Sequence, residues 1–205
     1  MKRLSATIRA ALFLDRDGVI IRDAGYLGQP AGVALLPGAR TALRRVQQTH
    51  RLFLLTNQSG IGRGYFAWRD AEAVHARMLE LLQLPPPGIE QIAIAAESPG
   101  EIPVYRKPSP RFLLETLAWD GLDPAQCWMV GDRLDDVRAG IRAGIRAALI
   151  ATAPITDKLA RAYCRQHSVP IYASLQAFVA ALPTLTDPAR RAGLTPSTSK
   201  KGNRR

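Results

Sequence analysis

Residues 11–21 read Ala-Leu-Phe-Leu-Asp-Arg-Asp-Gly-Val-Ile-Ile, an apolar run that leads into two aspartates and a glycine. A run rich in Leu, Phe and Ile is typical of a strand buried on both faces of a parallel sheet. In open α/β sheets ligands bind outside the carboxyl ends of the strands, which is where Asp15 and Asp17 fall. Charged groups at the edge of a core are costly unless they are paired or bind a cation. The stretch predicts a parallel sheet with an acidic site, although the D-x-D-G string alone fits a polar turn equally well.

Short apolar runs alternate with helical patterns along the chain. The predicted strands are 11–14, 52–55, 92–95, 127–130 and 147–150, and the predicted helices are 37–50, 68–82, 109–119 and 134–143. This alternation predicts a doubly wound α/β fold, Rossmann-like, with a parallel sheet and right-handed crossovers. Residues 22–36 have no strong period and follow the aspartate strand, so they are interpreted as a small flap over the site or as a surface loop. No insertion is long enough for a large cap domain.

Composition narrows the class of protein. The 205 residues contain 47% hydrophobic and 22% charged residues, no apolar stretch approaches the roughly 20 residues that span a bilayer, and only two cysteines are present. A soluble, cytoplasmic, monomeric protein is expected, without a membrane partner. Residues 1–182 are predicted to form one domain. Residues 183–205, with six basic residues against Asp187, are predicted to be a disordered tail. Such a tail can attract nucleic acid, but a solvated tail is the preferred interpretation.

A second predicted strand end carries polar groups suited to phosphate. Thr56 and Asn57 close the apolar run, and Gln58 and Ser59 begin a turn that contains Gly60. A hydroxyl, an amide and the backbone N–H groups of such a turn can bind phosphate oxygens.

Two further segments carry charges of the same kind. Arg106 and Lys107 precede a proline that opens a predicted helix, so Lys107 can act as a point charge on a phosphoryl group and Arg106 can make a bidentate contact. Asp132 follows the fourth strand, and Asp136 lies one helical turn later on the same face. Carboxylates and phosphate oxygens are the ligands that Mg²⁺ prefers. Four strand ends therefore predict one phosphate and magnesium site.

The segments LDRDGVI, TNQSGIGRG, RKPSP and GDRLDD, in this order, resemble the four motifs of the haloacid dehalogenase (HAD) superfamily of phosphatases. The match spans residues 11 to about 150 and is closest to the branch of heptose-bisphosphate phosphatases and histidinol-phosphatases. The resemblance implies that Asp15 is the nucleophile that becomes an aspartyl-phosphate and that Asp17 is the general acid and base. It also implies that Mg²⁺ is held by Asp15, Asp132 and the Asp17 carbonyl. The phosphoryl oxygens would be bound by Thr56, Asn57 and Lys107.

The resemblance also bears on the substrate. Asp23, Gly25 and Tyr26 match a flap segment that touches the sugar in the heptose-bisphosphate enzymes, and Arg106 and Arg133 occupy their substrate-contact positions. A phosphorylated sugar, most simply D-glycero-D-manno-heptose 1,7-bisphosphate, is therefore expected, which places the protein in carbohydrate metabolism. Relatives carry a Cys and His zinc cluster before the RKP motif, whereas residues 96–105 contain neither residue type. We therefore expect no structural zinc.

Three other functions stay open at this point. Histidinol phosphate is the second candidate substrate within the branch. The string YRKP and the basic tail also resemble the 3′-phosphatase domain of polynucleotide kinase phosphatases, although the chain lacks an aromatic and basic stripe for nucleic acid. A protein that binds a phosphorylated ligand without turnover is the alternative outside the enzymes.

Overall fold

The fold is a six-stranded parallel sheet covered on both faces by helices. The computed structural model describes residues 8–151 and 157–182. Within them the strands are β1 (Ala11–Leu14), β2 (Arg51–Asn57), β3 (Ile89–Ala95), β4 (Trp128–Gly131), β5 (Arg146–Ile150) and β6 (Ile171–Tyr172). All neighbours pair parallel, in the order β3-β2-β1-β4-β5-β6. The chain reverses its winding between β1 and β4, and ligands bind at this kind of switch point in doubly wound sheets. The predicted fold class is confirmed.

The part of the chain that the structure describes contains seven α-helices, six of which cover the faces of the sheet. They are α1 (Ala39–Val46), α2 (Ser59–Gly62), α3 (Trp68–Leu82), α4 (Arg111–Trp119), α5 (Leu134–Arg142), α6 (Lys158–Gln166) and α7 (Leu175–Ala181). One face of the sheet packs against α1, α3 and α7, and the other face packs against α4, α5 and α6. Each residue of β1 is fully buried, as expected for a central strand with helices on both sides.

The predicted elements agree with the structure to within a few residues, but four of the observed strands and α-helices were not predicted. β1 and α3 have the predicted bounds, whereas α1 is shorter than the predicted 37–50. α4 begins at Arg111 with Pro110 at the N-cap position, two residues later than predicted. The Ser109 hydroxyl donates to the Val104 carbonyl, and its oxygen accepts from the Arg111 N–H at 3.4 Å. β6, α2, α6 and α7 were not predicted. Elements of two and four residues, such as β6 and α2, leave no periodic pattern. No helix was predicted beyond residue 150, although α6 and α7 have nine and seven residues.

The segment between β1 and α1 is anchored at both ends. Ile21 bridges Leu35, and the Arg22 N–H donates to the Ala34 carbonyl. A 3₁₀ turn at Pro30–Gly32 shortens the loop, and Leu27 joins the core beneath it. The flap predicted over residues 22–36 is thus shortened to residues 22–26, whose side chains are exposed. None of the helices in the described ranges is long and apolar enough to cross a membrane.

Candidate active site

Lys107 is the centre of the charged groups at the end of the sheet. Its side chain is almost fully buried, and Nζ lies 2.9 Å from Asp15 Oδ1 and 2.6 Å from Asp136 Oδ1. Nζ also donates to the Leu55 carbonyl at 2.8 Å. Burial alone would lower the pKa of Lys107, but the two carboxylates outweigh it and raise that pKa. Lys107 is therefore a fixed cation beside Asp15, where it can neutralise charge that develops on a reacting phosphoryl group.

Asp15 lies directly after β1 and is itself buried. Its Oδ1 accepts from the backbone N–H of Arg16 at 2.7 Å as well as facing Lys107. Burial raises the pKa of Asp15, although Lys107 opposes this effect. The carboxylate is thus held in one orientation, at the switch point between β1 and β4.

Asp17 is held by a guanidinium that is itself completely buried. Arg16 Nε and Nη2 donate to Asp17 Oδ2 and Oδ1 at 3.1 and 3.2 Å, and Gln58 Nε2 donates to Oδ2 at 3.0 Å. Arg16 Nη1 lies 3.2 Å from Nε2 of His75, a buried residue of α3. Burial, reinforced by Arg16, lowers the pKa of His75 to about 3, so the imidazole is neutral and its Nε2 accepts the hydrogen bond. Burial also raises the pKa of Asp17, which favours a carboxyl that can hold a proton.

Three carboxylates form a group that could hold a metal ion. One oxygen from each of Asp15, Asp132 and Asp136 lies within 4.8 Å of the other two. Among the described residues, this is the group of potential metal ligands with such spacing. Asp132 Oδ1 is buried and has no hydrogen-bond partner among the described residues. Burial and the neighbouring carboxylates of Asp15 and Asp136 raise the pKa of Asp132 to about 7. These oxygens suit a hard divalent cation, which would supply the missing partner of Asp132.

Two glycines make room for these carboxylates. A Cβ atom on Gly18, which has a φ of +73°, would lie 2.2 Å from Asp132 Oδ2. A Cβ atom on Gly131 would lie 2.0 Å from Asp136 Cγ. Gly18 is therefore required both by its left-handed backbone and by the close approach of Asp132.

The residues at the end of β2 that were predicted to bind phosphate differ in their contacts and in whether they line the site. Asn57 clamps the backbone of Lys107, since Asn57 Oδ1 accepts from Lys107 N at 2.9 Å and Nδ2 donates to Lys107 O at 3.1 Å. Thr56 is fully buried, and its Oγ1 accepts from Gln58 Nε2 at 2.8 Å. Asn57 and Gln58 also line the site, as does Ser59 at the start of α2, whereas Thr56 lies behind them.

A polar pocket of about 300 Å³ opens above Asp15 and Asp17. Arg133 reaches across its mouth, where Nη2 lies 3.0 Å from Asp23 Oδ2, and Asp23 Oδ1 also accepts from the Gly25 N–H. Tyr26 packs edge-on against Tyr65 at the rim. The predicted residues in its lining are Asp15, Asp17, Asp23, Gly25, Tyr26, Asn57, Gln58, Ser59, Arg106, Lys107 and Arg133.

Sequence reasoning left several contributors out. Arg16 and His75 were not identified because their contact joins residues far apart in the chain, and His75 follows the apolar period of α3. Asp136 was predicted to lie on the same face as Asp132, one helical turn later, but its ion pair with Lys107 was not predicted. Glu97, which accepts hydrogen bonds from the backbone N–H groups of Val104, Tyr105 and Arg106, lies in a loop without any motif.

Comparison with known proteins gives a consistent set of relatives. The HAD-hydrolase-like family model matches residues 104–176. D-glycero-beta-D-manno-heptose-1,7-bisphosphate 7-phosphatase of Mesorhizobium japonicum is 39% identical over 138 residues, which are 63% of this chain and 64% of the relative. The protein of the same name from Helicobacter pylori is 33% identical over 148 residues, 71% of this chain and 85% of the relative.

Solved structures show the same likeness. D,D-heptose 1,7-bisphosphate phosphatase from B. bronchiseptica, complexed with magnesium and phosphate, superposes with a TM-score of 0.72 and 27% identity, over 83% of this chain and 96% of that chain. The Burkholderia thailandensis enzyme has a TM-score of 0.55 and 26% identity, over 83% and 96% of the two chains.

Proposed function

This chain belongs to the haloacid-dehalogenase-like phosphatases, and we propose that it is a magnesium-dependent phosphatase that hydrolyses a sugar phosphate through an aspartyl-phosphate on Asp15. The observation that carries the proposal is the buried contact of Asp15 with Lys107, beside Asp17 and the three-carboxylate group. A nucleophile, a fixed cation and a second carboxyl are the parts that phosphoryl transfer by a covalent route requires.

The proposed reaction has two displacements. In the first, an oxygen of Asp15 attacks phosphorus, the bond to the leaving oxygen breaks, and Asp17 gives that oxygen a proton. In the second, water attacks the phosphorus of the aspartyl-phosphate, Asp17 takes a proton from the water, and the Asp15 carboxylate is regenerated. Lys107 stabilises the charge on the phosphoryl oxygens in both steps.

The unpartnered oxygen of Asp132 and the neighbouring carboxylates fit a magnesium ion. Asp15, Asp132, Asp136 and the backbone carbonyl of Asp17 are the proposed donors. When bound, the ion would neutralise part of the phosphoryl charge. We expect no zinc, because the loop of residues 96–105 contains neither cysteine nor histidine.

Heptose 1,7-bisphosphate is the proposed substrate, with the 7-phosphate removed. The names of the relatives support this choice. The pocket supports it as well, because Arg106 and Arg133 add two guanidinium groups beyond Lys107 and can bind a second phosphate.

Cytoplasmic location, a monomeric state, and the domain limit at residue 182 with a disordered tail stay predictions. The tail lies outside the described residues.

The test is phosphate release with and without Mg²⁺ from heptose 1,7-bisphosphate, histidinol phosphate and a 3′-phosphorylated oligonucleotide. The bisphosphate should give the highest kcat/KM. Asp15→Asn should lower the rate by about 10⁴-fold or more, because the nucleophile is lost. Asp120→Asn, which alters an ion pair with Arg51 away from the pocket, serves as the matched control.

Two outcomes would contradict the proposal. Magnesium-dependent turnover that survives in Asp15→Asn would exclude the covalent mechanism. Tight binding of the bisphosphate without hydrolysis of any of the three compounds would favour a binding protein instead.

A further inference from the structure

The loop between β3 and α4 closes on the carboxylate of Glu97. Glu97 Oε1 accepts from the backbone N–H groups of Val104 and Tyr105, each at 2.9 Å, and of Arg106 at 3.2 Å. In return, Arg106 Nη1 donates to the Glu97 carbonyl at 3.1 Å. Side chain and backbone of Arg106 are thus both fixed to a residue nine positions earlier in the chain.

These contacts are stronger than those of an ordinary surface loop. An ionised acceptor makes hydrogen bonds roughly twice as strong as a neutral one. Partial burial would raise the pKa of Glu97, but the donated N–H groups outweigh burial and lower it, so the carboxylate is charged at neutral pH. The same loop contains Glu101, which offers a comparison because its carboxylate accepts only from Ser98 N within the loop.

Arg106 and Lys107 are adjacent in sequence but depend on different supports. Asn57 clamps the backbone of Lys107, and the Leu55 carbonyl accepts from its Nζ. Arg106 lines the pocket, and the hydrogen bonds given above tie it to Glu97. Loss of the Glu97 carboxylate removes the acceptor of the backbone N–H groups of the Val104 to Arg106 segment, so the backbone that carries Arg106 should shift. The bond from Arg106 Nη1 goes to the main-chain carbonyl of Glu97 and does not depend on that side chain. Lys107, which Asn57 holds, should stay in place.

We propose that Glu97 is a positioning residue for substrate specificity, which holds Arg106 against the part of the substrate beyond the transferred phosphoryl group. This inference rests on the proposed function for its kinetic consequence, since Arg106 needs a second anionic group to bind. Of the residues whose backbone N–H groups Glu97 binds, Arg106 is the one that lines the pocket, so the effect of Glu97 on the substrate should pass through Arg106.

The kinetic test compares heptose 1,7-bisphosphate with p-nitrophenyl phosphate, which offers Arg106 no second phosphate. Glu97→Ala and Arg106→Ala should each raise KM for the bisphosphate by about tenfold, the cost of one charge-assisted hydrogen bond. The double variant should be no worse than Arg106→Ala, because Glu97 acts through that residue. With p-nitrophenyl phosphate, Glu97→Ala should change kcat/KM by less than about threefold. Glu97→Gln, which keeps an acceptor oxygen, should recover part of the affinity, and Glu101→Ala should match the parent protein.

Hydrogen exchange followed by mass spectrometry tests the positioning without any substrate. The amides of Val104, Tyr105 and Arg106 should exchange faster in Glu97→Ala and at the parental rate in Glu101→Ala. Unchanged exchange in Glu97→Ala would overturn the inference, as would effects of Glu97→Ala and Arg106→Ala on KM that multiply in the double variant. If the protein hydrolyses neither compound, the proposed function fails, and the exchange rates still decide whether Glu97 positions Arg106.

Discussion

Arg16 lies between Asp15 and Asp17 in the sequence, and its side chain connects Asp17 to His75 of α3 in the folded structure. Its buried guanidinium donates to both oxygens of Asp17 and contacts His75. Each nitrogen of this buried guanidinium has a hydrogen-bond partner, and such contacts fix the orientation of the partners, whereas an unsatisfied buried charge is costly. The general acid proposed for this site therefore has its position set by a histidine that does not touch the pocket.

Replacement of His75 should affect two properties, the stability of the fold and the rate of proton transfer by Asp17. His75→Leu removes the acceptor for Arg16 Nη1, and we expect it to lower the free energy of unfolding by about 1–3 kcal/mol. Because Asp17 loses its fixed orientation, kcat should fall by about tenfold, a cost of about 1.4 kcal/mol in the barrier, while KM stays the same. Urea unfolding and steady-state kinetics measure the two effects.

The control for this change is His75→Gln, which keeps an acceptor at a similar position. It should recover most of kcat even where stability is only partly restored. Equal kcat values for His75→Leu and the parent protein would show that His75 does not position Asp17.

The charged residues of the site differ in how far sequence alone reveals them. Asp15, Asp17, Lys107 and Asp132 each follow a predicted strand or precede a predicted helix, so the rule about strand ends placed them together before any contact was known. Arg16, His75 and Glu97 contribute through contacts between distant positions or through backbone amides, and neither leaves a pattern in the residue types. The assignment of Asn57 to phosphate missed that its amide holds the Lys107 backbone.

At the scale of elements, Gly18 in the turn after β1 and Gly64 in the turn after α2 form a matched pair of glycines. Gly18 and Gly64 both have a φ of +73°, but only Gly18 has a neighbour in the way of a Cβ atom, namely Asp132 Oδ2 at 2.2 Å. Alanine at either position pays the cost of a left-handed backbone, about 1 kcal/mol or somewhat more. Only alanine at position 18 must also displace a carboxylate of the proposed metal site.

We therefore expect Gly18→Ala to weaken Mg²⁺ binding by at least about tenfold and to reduce turnover to a similar extent. Gly64→Ala should lose a comparable amount of stability from its backbone alone and keep its Mg²⁺ affinity. Isothermal titration with Mg²⁺ and thermal unfolding of both variants make the comparison. Equal Mg²⁺ affinities in the two variants would show that the approach of Gly18 to Asp132 is not needed for the metal site.

Five of the six strands and four of the seven α-helices were predicted, the strands from short apolar runs and the helices from helical spacing of apolar residues, whereas α6 and α7 were not predicted. β1 and α3 match their predicted bounds, and the alternation of strands and helices is enough to indicate a parallel sheet. The order of the strands cannot be obtained from periodicity, since it depends on which crossovers lie on which side of β1. The flap is shorter than the predicted residues 22–36 because Leu27 and Val33 enter the core. This packing is a tertiary effect, and the segment has no periodic pattern that could have predicted it.

At the scale of the whole molecule, the acidic group links metal binding, pH and folding. The pKa of Asp132 is raised from 3.8 to about 7, first by burial and then by Asp15 and Asp136. A carboxyl whose pKa is raised on folding stabilises the folded state below its unfolded pKa, and this contribution is lost as the pH rises through the folded value. In the metal-free protein, the stabilisation by protonated Asp132 should thus be lost progressively as the pH rises from about 4 through about 7, with little of it left at pH 8.

A divalent cation should reverse this dependence, because it binds the ionised carboxylates of the folded protein and has no such site in the unfolded chain. Since Asp132 is mostly protonated at pH 6, Mg²⁺ should bind about tenfold more weakly there than at pH 8. At pH 8, Mg²⁺ at a hundred times its Kd should stabilise the protein by about 2.7 kcal/mol, a rise in Tm of several degrees for a domain of this size. Thermal unfolding at the two pH values, with and without Mg²⁺, measures both effects.

Asp132→Asn should flatten the pH dependence of the metal-free Tm and lose most of the gain in Tm from Mg²⁺, whereas Asp120→Asn should retain both. An equal gain from Mg²⁺ at pH 6 and pH 8 in the parent protein would show that ionisation of Asp132 does not control the site.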